Sequence, residues 1–89
     1  MFRPLRGYKA RYHYLTLLVS CDFDHCNVLL LGPDLVIQGV RQLDEAKARE
    51  HALALAKTYI HEEKKEDLPV LETVDWQSFG PGEWLNWRP

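Results

Sequence analysis

Residues 44–64 contain neither glycine nor proline and are rich in alanine, leucine, glutamate and lysine, which predicts one long helix. At 100° per residue, most apolar side chains of this segment fall on one side of the helix. They are Ala48, Ala52, Leu53, Leu55, Ala56, Tyr59 and Ile60. Asp44 suits the helix start as a cap, and Pro69 ends any continuation. A helix with one apolar side needs a second layer, so this segment most constrains the fold.

The second layer is predicted to be a sheet. Lys9 to Cys21 lacks glycine and proline and is rich in aromatic and β-branched residues, which predicts one strand. Turn signals separate it from further predicted strands at 26–31, 35–40 and 70–76. Alternation gives a core face with Leu15, Leu17, Val19 and Cys21, and an opposite face with Tyr12, Tyr14, Thr16, Leu18 and Ser20. The order β-β-β-α-β predicts an α+β domain, a short antiparallel sheet with the helix packed on one face.

The length of 89 residues suits a single domain, with residues 1–8 as an N-terminal arm and 77–89 as an aromatic C-terminal tail. The net charge of −2 is no general signature of nucleic-acid or membrane binding. No apolar run approaches the roughly 20 residues of a membrane span, and no signal peptide is evident. Two cysteines are too few for a disulfide scaffold. We therefore expect a cytoplasmic protein with reduced thiols and no membrane association.

The densest cluster of possible ligands is 21–26, which holds Cys21, His25 and Cys26. Thiolates and imidazoles bind zinc, but a tetrahedral site needs four ligands and no second pair follows. We interpret the cluster as a hairpin loop between two small strand residues. A zinc site remains an alternative, and so does a disulfide, provided that the cysteines face each other across the hairpin. We predict no metal and no cofactor.

Catalytic patterns are absent from the sequence. None of the histidines pairs with a nucleophile at a recognisable spacing; they are His13, His25, His51 and His61. His51 and His61 lie on the polar side of the predicted helix, where we expect solvated side chains. The aspartates Asp22, Asp24 and Asp34 fall near turns, which explains them without a catalytic role. We predict that the protein is not an enzyme and has no catalytic residues.

A basic cluster precedes the first acidic residue and consists of Arg3, Arg6, Lys9 and Arg11. Tyr8, Tyr12 and Tyr14 interleave with these cations. Cations neutralise phosphates and aromatic rings stack on bases, so a small nucleic-acid-binding module is the alternative function. A solvated arm leading into a strand explains the same residues.

Large aromatic residues gather near the C-terminus: Trp76, Phe79, Trp84 and Trp87. Such side chains are enriched at interface hot spots, and they also cover small cores. A sheet with one helix leaves a second face to be covered, so both roles stay open. We predict that these four residues form part of a protein interface in a chain that forms a homo-oligomer.

Four short motifs occur in one order along the chain. They are Pro33-Asp34-Leu35, Gln38-Gly39, Leu43-Asp44-Glu45-Ala46 at the helix start, and Leu68-Pro69 after it. In this order the chain resembles the HicB antitoxin family. The resemblance implies a partly degraded ribonuclease-H-like fold. It implies a protein that binds its partner and catalyses no reaction. It also implies a protein partner, a small ribonuclease toxin that is inhibited by direct contact.

Overall fold

A computed structural model describes residues 6–79 of the protein. Five strands form one antiparallel sheet in the order β4-β3-β2-β1-β5. They are β1 (Arg6–Tyr12), β2 (Leu15–Cys21), β3 (Cys26–Gly32), β4 (Leu35–Gln38) and β5 (Gln77–Phe79). Between β4 and β5 lies α1 (Glu45–Lys57), which continues as a π-helical segment, Thr58–Glu63. The predicted α+β class, with one helix on a short antiparallel sheet, is confirmed.

The predicted single strand from Lys9 to Cys21 is wrong, because the chain reverses at His13 and Tyr14. Tyr12 pairs with Leu15 across this two-residue loop, and His13 adopts a φ of 56°. Positive φ favours glycine or asparagine, and neither stands here, so the composition gave no turn signal. The reversal also moves Tyr12 to the core face, since paired residues point the same way.

Both ends of the chain also depart from prediction. Because β1 begins at Arg6, residues 6–8 belong to the sheet and not to an arm; residues 1–5 lie outside the described part. The predicted strand at 70–76 is wrong, since this stretch has no regular structure. The last strand is β5, which pairs with β1 through Gly7 and Phe79.

The helix begins where predicted. Asp44 Oδ1 accepts hydrogen bonds from the backbone N–H groups of Ala46 (2.7 Å) and Lys47 (3.4 Å), which caps the first turn. At the far end the Lys64 N–H donates to the Tyr59 carbonyl, five residues back, as in a π-turn. Lys65 then takes a positive φ of 53° and the helix ends.

The predicted apolar stripe packs on the sheet. Its fully buried members recur every four residues: Ala48, Ala52, Ala56 and Ile60. Leu53, Leu55 and Tyr59 are partly buried against the same core. The sheet contributes the predicted core face together with side chains of β1 and β3: Tyr12, Leu15, Leu17, Val19, Cys21, Val28 and Leu30. Burial of each large apolar side chain contributes about 1.5–3 kcal/mol, so this layer contains the main stabilising contacts.

The opposite face of the sheet is also apolar. Leu18 pairs with Leu29, and Leu31 pairs with Thr16 on one side and Val36 on the other. We call Leu18, Leu29, Leu31 and Val36 the open sheet face. Its exposure is uneven, because Leu18 is 6% exposed and Val36 is 70% exposed.

No helix among the residues that the structure describes is long and apolar enough to cross a membrane.

Candidate protein-binding surface

A disulfide bond joins Cys21 to Cys26 across the hairpin between β2 and β3. The two cysteines are direct partners in the register, and both are buried. The prediction of reduced thiols is therefore wrong in this structure, and the disulfide left open by the sequence is the form observed. Within residues 6–79 no group of three or more His, Cys, Asp or Glu side chains is arranged to hold a metal ion.

The loop inside this disulfide is fixed by Asp22. Its Oδ1 accepts hydrogen bonds from the backbone N–H groups of Asp24 (2.8 Å) and His25 (2.9 Å), and its own N–H donates to the His25 carbonyl (3.0 Å). The hydrogen bonds from His25 and Asp24 lower the pKa of the Asp22 carboxyl below its usual value, because they stabilise the charged form. The same loop leaves Phe23 84% exposed.

A second segment lies against the loop. The Cys26 N–H donates to the Gln42 carbonyl (2.7 Å), and the Gln42 N–H donates back to the Cys26 carbonyl (3.0 Å). This bridge brings Leu43, which is 86% exposed, to the same open cavity of about 380 Å³ that Phe23 lines. Asp24 and Asp44 line that cavity too. We call Phe23, Leu43 and the carboxylates of Asp22, Asp24 and Asp44 the Phe23/Leu43 surface.

The charge around this surface is mainly acidic. One further carboxylate, that of Glu45, lines the cavity beside Arg6, and these two side chains form an ion pair. Glu45 also accepts a hydrogen bond from the Tyr8 hydroxyl, which raises the pKa of Tyr8. The Arg49 guanidinium lies 4.5 Å from the centre of the Tyr8 ring. These contacts tie the start of the helix to β1 and pair Glu45 with a cation. The Asp22 side chain is largely buried in its own loop, so the exposed carboxylates at this surface are those of Asp24 and Asp44.

The basic cluster predicted for nucleic acid is divided between the two faces of the sheet. Arg6 lies on the helix side with Glu45, whereas Lys9 and Arg11 pair with residues of the other face. Arg11 Nη1 donates to Thr16 Oγ1 at 2.8 Å. Arg3 lies outside the described residues. The described cations thus form no single basic surface, although nucleic-acid binding itself stays untested.

The predicted aromatic interface is only partly within the described chain. Trp76 is partly buried, packs against the core, and lines a groove with Arg49 and Leu53. Phe79 is placed by its backbone pairing with Gly7. Trp84 and Trp87 lie outside the described residues. Trp76 therefore contributes to the core, and its role in an interface stays a prediction.

The histidines on the helix are not simply solvated, and that prediction is wrong. His51 Nε2 accepts a hydrogen bond from the Val40 N–H at 2.9 Å. His61 Nε2 lies 2.7 Å from the buried Tyr12 hydroxyl. At the β1–β2 loop, His13 Nε2 donates to the Pro69 carbonyl at 2.7 Å. All three side chains form hydrogen bonds with neighbouring segments, and these contacts explain the histidines without a catalytic role.

Phe23 and Leu43 were not predicted from the sequence as members of a binding surface. Both stand in segments that were interpreted as turns or helix flanks, and no local pattern distinguishes an exposed apolar residue from a buried one there. The available signal was the pair of cysteines, since a disulfide between them would hold Phe23 at the tip of a short loop.

No protein-family model, curated protein or solved structure matches this chain.

Proposed function

We propose that this protein is a non-catalytic protein-binding domain whose partner docks on the Phe23/Leu43 surface. The observation that carries the proposal is the exposure of two large apolar side chains, 84% and 86%, beside one cavity. Exposed apolar side chains that adjoin one another mark interaction sites more often than scattered ones do. Burying each of them in a complex would contribute about 1.5–3 kcal/mol.

The backbone around this surface supports binding because it is already ordered. The disulfide closes the loop, Asp22 holds its tip, and the bridge between Cys26 and Gln42 fixes the segment that carries Leu43. A partner would therefore have little loop entropy to remove on association, which favours affinity.

The charge pattern indicates the chemistry of the partner. The exposed carboxylates of Asp24 and Asp44 line the same cavity as the two apolar side chains, so a complementary surface has an apolar pocket with basic side chains beside it. Proteins that bind RNA carry such basic surfaces, because they neutralise phosphates. A small ribonuclease toxin, the partner implied by the resemblance to HicB antitoxins, has the matching chemistry. In this proposal the domain blocks the toxin by contact and performs no reaction.

The proposed homo-oligomer would use a different part of the molecule. β4 is an edge strand of the sheet, and Val36 on it is 70% exposed. A second copy could pair along this edge through backbone hydrogen bonds. The molar mass in solution tests this proposal: a multiple of 10.4 kDa supports it, and a mass of 10.4 kDa contradicts it.

A cytoplasmic location also stays a proposal, and the disulfide weighs against it because cytosolic thiols are kept reduced. Alkylation of thiols in rapidly quenched cells gives the answer through the mass of the protein. Two alkylated cysteines would support the cytoplasm, and unmodified cysteines would contradict it.

Co-purification with the products of the two flanking genes tests the antitoxin proposal. We expect one flanking product, a small basic protein, to co-purify with the tagged domain. The double variant Phe23→Ala/Leu43→Ala should lose it, and the control Val70→Ala should retain it. Val70 is 54% exposed and follows Pro69, whose carbonyl binds His13 in the β1–β2 loop at the other end of the sheet. Failure of both flanking products to bind, or binding that survives the double variant, would overturn the proposal.

A further inference from the structure

We infer that a cavity beside the open sheet face binds a small monocarboxylic acid with an apolar body. The cavity has a volume of about 410 Å³, within the range of pockets that hold small ligands. It lies between the β1–β2 turn and the β3–β4 turn, which are at the same end of the sheet. The described residues that line it combine a cation, two hydroxyl groups and apolar surface: Arg11, Tyr14, Thr16, Leu31, Gly32 and Pro33.

Arg11 supplies the positive charge of this cavity. Its Nη1 donates to Thr16 Oγ1 at 2.8 Å, and Thr16 is only 6% exposed, so a buried hydroxyl fixes one corner of the guanidinium. Within residues 6–79 no carboxylate lies within ion-pair distance of Arg11. A guanidinium presents its N–H donors as a planar fork that matches a carboxylate. Because Thr16 engages one N–H group, the others can donate to a bound carboxylate.

The surrounding charges favour a ligand with a single negative charge. The Glu66 carboxylate accepts the hydrogen bond of the Tyr14 hydroxyl, and Asp34 directly follows Pro33 in the β3–β4 turn. Like charges repel, so these two carboxylates disfavour a second negative charge on the ligand. One guanidinium balances one carboxylate, which is why we infer a monocarboxylate and not a phosphate dianion.

The apolar body of the ligand has matching surface in the same cavity. Leu31 and Pro33 contribute aliphatic groups, and Tyr14 contributes a ring whose position is fixed by its hydrogen bond to Glu66. That hydrogen bond raises the pKa of Tyr14 to about 12, so the hydroxyl is neutral at pH 7 and does not compete with the ligand for Arg11. A fixed aromatic ring suits a flat ligand such as an aromatic acid.

This site is separate from the Phe23/Leu43 surface, which lies at the opposite end of the sheet beside the β2–β3 loop. The two share no residue, so a negative result at one site leaves the proposal for the other unchanged.

Titration of the full-length, nitrogen-15-labelled protein with phenylacetate tests the inference. At pH 7 we expect saturable shifts of backbone amide signals at residues 11–16 and 31–34, with a dissociation constant in the millimolar range for so small a ligand. Phenylacetamide, which lacks the charge, and acetate, which lacks the ring, should each bind about tenfold more weakly or worse. Absence of saturable shifts, or equal affinity for either comparison compound, would overturn the inference, and so would tighter binding of phenyl phosphate.

Variants of the cations on β1 give the second measurement. Arg11→Gln should weaken phenylacetate binding about tenfold or more, because it removes the charge and the fork. Lys9→Gln is the matched control, since Lys9 lies on the same strand and face but does not line the cavity. At 0.15 M salt it should change the affinity by less than about twofold. Equal losses in the two variants would show general attraction of anions and overturn the inference.

The amide spectrum without ligand verifies that each variant is folded. If Arg11→Gln does not fold, Arg11→Lys replaces it, because lysine keeps the charge and loses the planar fork. This variant should still bind phenylacetate more weakly than the unaltered protein does. Unchanged affinity in Arg11→Lys would contradict the role given to the guanidinium.

Discussion

The two ends of the sheet are held together in different ways. At the disulfide end, residues 21–26 and 39–45 are fixed by a covalent bond, an aspartate-centred turn and a backbone bridge. At the tyrosine end, residues 12–15 and 60–71 are fixed by side chains that reach across long sequence distances. The difference shows that the loop at residues 21–26 is ordered by close neighbours in the sequence, whereas the tyrosine end depends on contacts between distant residues.

Tyr12 is the centre of the tyrosine end. Its hydroxyl accepts a hydrogen bond from the Leu71 N–H at 3.2 Å, so its own proton is available for His61 Nε2 at 2.7 Å. The ring is fully buried in the core. One side chain therefore joins β1, the end of the helical segment and the irregular stretch that follows it. Phe23 and Leu43 at the disulfide end are exposed instead, and we therefore assign binding to these two side chains.

Truncating Tyr12 should have the largest effect. Tyr12→Ala is expected to lower the free energy of unfolding by about 3–5 kcal/mol, since it leaves a cavity in the core. Tyr12→Phe keeps the ring and should cost about 1–3 kcal/mol, because the Leu71 N–H and His61 lose their partner. Urea denaturation measures both values. A Tyr12→Phe variant as stable as the unaltered protein would contradict the role given to the hydroxyl.

Reducing the disulfide is the matching perturbation at the other end. The bond closes a short loop, so its loss should lower the free energy of unfolding by about 2 kcal/mol. Urea denaturation of the oxidised and reduced proteins measures the difference. We expect hydrogen exchange to accelerate at residues 21–26 and to stay unchanged near Tyr12. Faster exchange at both ends alike would show that the two ends are not independent.

Removing the helix cap sharpens the comparison within the disulfide end. Asp44→Ala should lower the free energy of unfolding by about 1 kcal/mol, because the N–H groups of Ala46 and Lys47 lose their acceptor. Asp44→Asn, which keeps an acceptor oxygen, is the control and should cost less. Thermal denaturation followed by circular dichroism distinguishes the two. A neutral Asp44→Ala variant would argue against the cap.

High pH should weaken the tyrosine end by a smaller amount. The Tyr14 hydroxyl donates to the Glu66 carboxylate, and this hydrogen bond raises the pKa of Tyr14 from 10.0 to about 12. Because the folded pKa is the higher one, this stabilisation is complete below pH 10 and is lost as the pH rises toward 12. Glu66→Gln should return the pKa of Tyr14 toward 10, as followed by tyrosinate absorbance. An unchanged titration would exclude this hydrogen bond.

The contrast between the ends also explains what the sequence could predict. The helix was predictable because its cap and its apolar spacing are both local: Asp44 precedes the segment, and Ala48, Ala52 and Ala56 repeat within it. The hairpin at 22–25 was predictable for the same reason, since aspartate favours a turn through its own neighbours.

The missed features depend on contacts between distant residues. The turn at His13 and Tyr14 has no glycine, and the His13 and Tyr14 side chains bind Pro69 and Glu66, more than fifty positions away. The irregular path of residues 70–76 follows from similar contacts, including the Leu71 N–H on Tyr12. The candidate surface was missed because exposure of Phe23 and Leu43 is a property of the folded molecule.

Three residues of the motifs shared with HicB antitoxins lie at a turn and at the helix start in the structure. Pro33 and Asp34 form the turn between β3 and β4, and Asp44 caps α1. These positions have structural reasons of their own, so kinship with HicB antitoxins stays a proposal that binding experiments must test.

Site-specific photo-crosslinking in cells tests the central claim most directly. A photoreactive phenylalanine analogue placed at Phe23 or Leu43 should give a discrete adduct with one other protein. The same analogue at Val70, an exposed apolar site at the tyrosine end, should give none. Adducts at 23 and 43 alone are the result that we predict. No adduct at these positions, or equal adducts at Val70, would contradict protein binding at the Phe23/Leu43 surface.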